Sequence, residues 1–137
     1  MRALVIDDRD TNRLLLLKFL SPWMEGDAAA DGEDGVEAFE KALHEGKPYK
    51  LICLDVMMPG MDGHETLARI RQIEKNAKIP EQNQAKIIMT TAVDSPNSIN
   101  EAIKLGANGY LVKPVRKTNL IEELEKLELI PAGDLSI

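Results

Sequence analysis

The chain is poor in cysteine, histidine and aromatic residues: its 137 residues include one Cys, two His, one Trp, two Tyr and two Phe. A single cysteine excludes an intrachain disulfide. Cys53 lies inside an apolar run and reads as inert core rather than a reactive thiol. His44 and His64 stand among polar neighbours, form no Cys/His cluster suited to zinc, and read as surface residues. Positive charge is also short: 17 Lys and Arg against 23 Asp and Glu leave a net charge of −6. That balance argues against nonspecific nucleic-acid binding, which rests on cations facing phosphates, and against docking on an anionic membrane. No apolar run approaches the ~20 residues of a membrane span. Carboxylates at Asp7 and Asp8 come too early for a signal peptide, so a cytoplasmic protein is expected. The length suits one domain. The 44% hydrophobic and 29% charged shares are those of an ordinary globular chain.

Apolar runs alternate with amphipathic stretches, the pattern of repeated βαβ units. Strands are predicted near 2–6, 27–30, 50–54, 85–89 and 109–112, and helices near 11–20, 33–45, 63–76, 96–105 and 117–128. The first, third and fourth strands are almost wholly apolar, as strands covered on both faces should be. The second, Asp27-Ala28-Ala29-Ala30, is weak and belongs at an edge. Leu120, Leu124 and Leu127 share one stripe of the last helix. Ser95-Pro96 reads as a helix cap followed by a first-turn proline. Lys75 to Gln84 is expected to be an exposed, mobile loop, and 131–137 a short tail.

The chemistry gathers where strands hand over to loops, the edge at which open parallel sheets bind ligands. Asp7 and Asp8 follow Leu4-Val5-Ile6, Asp55 follows Leu51-Ile52-Cys53-Leu54, Thr91 follows Ile87-Ile88-Met89, and Lys113 follows Tyr110-Leu111-Val112. Carboxylates gathered there repel by roughly 1–4 kcal/mol per pair at ~4 Å. A hard divalent cation held by oxygens, Mg²⁺ above all, answers that repulsion. Each residue alone has a plainer reading. Asp8 or Asp10 could cap the first helix, and for Asp10 that is the expectation. Thr91 could bond to backbone, Lys113 could be a solvated strand-end charge, and Tyr110 could be simple packing. Met57, Met58 and Met61 read as a packed turn, and Asp62-Gly63 as turn chemistry leading into the next helix. Trp23 is placed at the opposite edge of the sheet.

Taken together, Val5-Ile6-Asp7-Asp8, the run Leu54-Asp55-Val56-Met57-Met58-Pro59-Gly60-Met61-Asp62-Gly63, Thr91-Ala92, Gly106-Ala107-Asn108-Gly109-Tyr110 and Lys113-Pro114 resemble the receiver domain of two-component response regulators, over about residues 1–128. The resemblance implies a doubly wound, three-layer α/β fold of the flavodoxin-like type, strand order 2-1-3-4-5, occupying 1–130. It implies that Asp55 accepts a phosphoryl group from a phosphohistidine on a sensor kinase or histidine phosphotransfer protein. Asp7, Asp8, Asp55 and the backbone carbonyl of Met57 would hold Mg²⁺. Lys113 and Thr91 would contact the phosphoryl oxygens, and Thr91 with Tyr110 would form the switch. The output would be a protein-binding surface over 96–128, with a phosphorylation-dependent homodimer as one outcome. Met57 and Val93 would tune the lifetime of the acyl phosphate, and the bond before Pro114 is often cis in this family. The expected role is that of a stand-alone signalling domain rather than a turnover enzyme.

Rival readings remain at the level of sequence. A haloacid dehalogenase-like phosphatase also uses an aspartate nucleophile, but it needs an acid two residues after its first-strand aspartate, where this chain has Arg9. A flavin-binding module of the same fold would need a phosphate loop that Asp7-Asp8 would repel. A degenerate receiver acting only as a docking module is disfavoured because every chemical position is intact.

Overall fold

Period-two alternation within the apolar runs decides the layering. In the computed structural model, which describes residues 1–92 and 96–133, the elements run β1 (Arg2–Ile6), α1 (Asp10–Leu20), β2 (Glu25–Ala29), α2 (Gly32–His44), β3 (Leu51–Asp55), α3 (Gly63–Asn76), β4 (Lys86–Thr91), α4 (Pro96–Lys104), β5 (Gly109–Val112) and α5 (Lys117–Lys126). All neighbouring strands pair in parallel, in the order β2-β1-β3-β4-β5. Leu4, Ile6, Ile52, Leu54, Ile87 and Met89 point to one face and pack with Val36, Phe39, Leu67, Ile70 and Ala102 of α2, α3 and α4. Ala3, Val5, Leu51, Cys53, Ile88 and Leu111 point to the other and pack with Leu16, Leu20, Leu120, Ile121 and Leu124 of α1 and α5. Each fully buried Leu or Ile contributes about 1.5–3 kcal/mol, so two such layers define the fold. The flavodoxin-like architecture is as expected.

Boundaries shift in informative places. β2 begins at Glu25, before the alanines, because an edge strand needs only backbone pairing with Arg2–Ile6 and leaves polar side chains in water. β3 and β4 run through Asp55 and Thr91 rather than ending before them, since Asp55 pairs with Thr90 and the Val56 N–H bonds the Thr90 carbonyl at 2.9 Å. Asp10 is not the cap of α1: it is the first helical residue and pairs with Arg13, while Arg9 occupies the cap position without a side-chain bond. Asp31 and Asp62 do cap α2 and α3, accepting the Asp34 and Glu65 N–H groups at 2.8 and 2.9 Å. Met58 and Met61 are buried but Met57 is 68% exposed, so the methionine turn is only partly packed. Trp23 is half-buried against the α1–α5 layer. The expected cap at Ser95 lies outside the described residues, as does Val93.

The 75–84 segment is largely exposed but wound rather than open. α3 continues to Asn76, and a single 3₁₀ turn covers Glu81–Asn83. Its anchor is a network that sequence reading missed. Glu74 is 1% exposed. Its Oε1 accepts from Arg71 Nη1 at 2.7 Å and its Oε2 from the Ala85 N–H at 2.8 Å. Arg71 also donates to the carbonyls of Ala85 and Gly106 and to Asn108 Oδ1. Removing one partner of a buried pair leaves the other charge uncompensated, at about 3–5 kcal/mol. Arg71→Ala should therefore lower stability by about 3 kcal/mol in urea unfolding. A loss below ~1 kcal/mol, the range of exposed pairs, would show that water relieves Glu74.

Candidate functional site

Four strand ends converge on one cleft of about 480 Å³, lined by Asp8, Arg9, Asn12, Asp55, Met57, Ala92, Lys113 and Pro114. Asp7 and Asp8 follow β1, Asp55 closes the adjacent β3, Thr91 closes β4, and Lys113 follows β5. Lys113 is fixed from its backbone: its N–H bonds the Thr91 carbonyl at 2.6 Å, and the Lys113–Pro114 peptide is cis. Its ammonium lies 2.9 Å from Asp7 Oδ2 and 3.2 Å from Asp55 Oδ1. One cation thus serves two carboxylates.

Asp7 and Asp55 are 1% and 3% exposed, whereas Asp8 faces solvent. Asp7 Oδ1 accepts the Arg9 N–H at 2.9 Å and the Asn12 amide at 3.4 Å, and Arg13 donates to the Asp7 backbone carbonyl at 2.7 Å. Asp55 Oδ1 also accepts the Met57 N–H at 3.3 Å. Burial pushes the Asp55 carboxyl up to about 6, against the pull of Lys113 and with further upward pressure from Asp7. The group is still ionised at neutral pH.

One carboxylate oxygen from each of Asp7, Asp8 and Asp55 falls within 4.8 Å of the others. An all-oxygen, anionic donor set with one member open to water suits a hard cation such as Mg²⁺. Thr91 is buried at the end of β4. Tyr110 is half-buried on β5, its hydroxyl 3.2 Å from Ser98 Oγ of α4.

The response regulator receiver domain family profile matches residues 3–125. The chain belongs to this family. It is 35% identical to the chemotaxis protein CheY of Listeria monocytogenes over 126 residues, covering 92% of this chain and 97% of that one. It is 32% identical to the CheY of Bacillus subtilis, covering 91% and 95%. Among solved structures it resembles Vibrio cholerae CheY4 (TM-score 0.76, 28% identity, 91% of this chain and 96% of that one). It also resembles the CheX–CheY–BeF3–Mg complex of Borrelia burgdorferi (TM-score 0.78, 26% identity, 93% and 89%). The protein is therefore a CheY-like receiver domain of the two-component response regulators. Among the described residues, no helix is long and apolar enough to cross a membrane.

The receiver cleft brings together Asp7, Asp8, Asp55, Met57 and Lys113, with Thr91 at the neighbouring strand end. Sequence reading missed Asn12 and Arg13, which brace Asp7. Their signal was slight: both are polar residues of the first turns of α1, five and six positions after Asp7. His64, expected on the surface, is half-buried with its Nε2 enclosed.

The raised Asp55 pKa sets a pH dependence. A carboxyl that ionises near 6 when folded and near 3.8 when unfolded favours the folded state most while protonated. Stability from this group is present below pH ~4, falls as pH rises to ~6, and leaves a penalty of up to about 3 kcal/mol above that. Asp55→Asn should accordingly raise metal-free stability by about 1–3 kcal/mol at pH 8 and by progressively less toward pH 5. Urea titrations across that range test it; a gain independent of pH would locate the effect elsewhere.

Proposed function

We propose that this receiver domain is the phosphoacceptor of a two-component pathway, with Asp55 as the nucleophile. The observation that carries the reading is the shared ammonium: Lys113 reaches both Asp7 and Asp55 at the floor of an open, acidic cleft. In the proposed transfer, an Asp55 carboxylate oxygen attacks the phosphorus of a phosphohistidine on a sensor kinase or phosphotransfer protein. The P–N bond breaks, the imidazole leaves with the bonding pair and takes up a proton, and an acyl phosphate remains on Asp55. A carboxylate ionised at neutral pH needs no general base for this step.

Asp8 would hold Mg²⁺ directly, Asp7 directly or through water, and Asp55 and the Met57 carbonyl would complete the protein's share. Bound there, Mg²⁺ offsets the charge of the incoming phosphoryl oxygens. The Borrelia relative, captured with BeF3 and Mg, supports this reading. Lys113 then trades part of its carboxylate contact for a phosphoryl oxygen, and the Thr91 hydroxyl donates to another. The consequence would travel along β5 and α4, where the Tyr110–Ser98 contact joins the two elements and Ile103 and Val112 are exposed. That surface, within 96–128, would meet the downstream protein or a second copy of the chain. The role is signalling rather than turnover; steady hydrolysis of small phosphomonoesters would overturn it.

Acetyl phosphate with Mg²⁺ should add one phosphoryl group to the wild-type chain and none to Asp55→Asn, as read by intact-mass spectrometry. Labelling of the variant at the wild-type level would refute the assignment. Asp8→Ala should weaken Mg²⁺ binding in calorimetry by on the order of tenfold or more, since a unit charge at ~4 Å is worth about 1–4 kcal/mol. Lys113→Ala should still bind Mg²⁺, but hydrogen exchange over 96–112 should no longer change on phosphorylation. A normal exchange response in that variant would remove Lys113 from the switch.

A further inference from the structure

Gly63, the first residue of α3, is pressed against the backbone that carries Asp55. A Cβ placed there would lie 2.3 Å from the Asp55 carbonyl oxygen, 2.7 Å from Val56 Cα and 3.0 Å from the Asp55 carbonyl carbon. These are backbone atoms, so no side-chain rotation can relieve the clash. Ordinary contact begins near 3.4 Å, so one partner must retreat by about 1 Å. The β3 side is held by its ladder, through the Asp55–Thr90 pairing and the Val56 N–H to the Thr90 carbonyl. The α3 side is held by the Gly63 N–H to the Val56 carbonyl at 2.9 Å and by the Asp62 cap. Between the two anchors runs the loop that carries Met57, whose N–H bonds the Asp55 carboxylate.

Resting on the phosphoacceptor reading, we propose that Gly63 is a positioning residue for the acidic cluster: having no side chain, it lets α3 close on the Asp55–Val56 peptide and so fixes where the Asp55 carboxylate stands against Asp7, Asp8 and Lys113. Gly26 presents the contrast. A Cβ there would meet only the end of the Leu17 side chain, on the edge strand, which can swing aside. Reactive groups must be held within about 0.5 Å, and a 1 Å misplacement can cost about 100-fold in rate. The shift forced at position 63 is of that size.

The test compares Gly63→Ala with Ile70→Val, a core change two turns along the same helix that lowers stability without touching the Asp55 backbone. Both are measured by calorimetry with Mg²⁺ alone and by the rate of acetyl phosphate labelling. Gly63→Ala should bind Mg²⁺ about tenfold more weakly and label about 100-fold more slowly, while Ile70→Val stays within about twofold of wild type on both. The inference is overturned if Gly63→Ala matches wild type, if both variants lose function in proportion to their stability, or if Gly63→Ala does not fold even with Mg²⁺, which would make the residue one of packing. A wild-type chain that takes no label would sink the phosphoacceptor reading, and the Mg²⁺ arm would still decide the role of Gly63.

Discussion

Three carboxylates held at one sheet edge with a single ammonium between two of them is the constraint on which the site depends. Lys113 cannot neutralise Asp7, Asp8 and Asp55 together. Two of the acids are buried, and burial itself pushes the Asp55 carboxyl up to about 6, with Lys113 opposing the shift and Asp7 adding to it. A shift of that size does not keep the group protonated at neutral pH. The result is a charged oxygen at the floor of a cleft, short of positive charge, with Asp8 and Met57 at the open mouth. Such a donor set suits a hard cation.

The strand order delivers this arrangement. With β1 and β3 adjacent, the acids that follow Ile6 and Leu54 come from neighbouring strands. β5 is two strands from β3, and the lysine that follows it has the four-carbon stem needed to lie across the end of β4. Arginine would bring a planar fork suited to one carboxylate in bidentate contact. A compact ammonium can be shared between two. The Thr91 carbonyl that accepts the Lys113 N–H makes the end of β4 part of the same frame.

What could be read from sequence follows from where the burial lies. The apolar runs were plain because each strand feeds two hydrophobic layers, and the polar residues ending those runs were plain because nothing else in a buried strand explains them. Glu74 was not legible. On an amphipathic helix followed by polar residues a glutamate reads as solvated, and only the fold brings Arg71 and the Ala85 N–H to its two oxygens. Asp10 was misassigned for a related reason. The turn into α1 is braced by Asp7, whose carboxylate accepts the Arg9 N–H, and the helix starts one residue early, at Asp10, with Arg9 in the cap position. The residue at the centre of the acidic cluster therefore also holds the loop that shapes it. The tightness at Gly63 was invisible in principle, because a glycine after aspartate suggests a turn, not contact with a distant carbonyl.

Lys113 connects the charge at the cleft floor to the face of the molecule. It comes directly after Val112 and three residues after Tyr110, and that tyrosine meets Ser98 of α4. Its ammonium is divided at rest between Asp7 and Asp55. On the proposed reading, phosphorylation would turn one Asp55 carboxylate oxygen into the bridging oxygen of an acyl phosphate, add three phosphoryl oxygens beyond it, and draw that ammonium toward the new charge. Because the lysine backbone is bonded to the end of β4, a changed pull on the side chain would, on that reading, be felt at the β4–β5 junction. The same short segment thus bears both the cation that makes the resting cluster tolerable and the strand that meets α4 through Tyr110. On that reading, a balancing charge set directly after β5 and tied to β4, rather than on a free loop, is what would let chemistry at Asp55 be read some distance away.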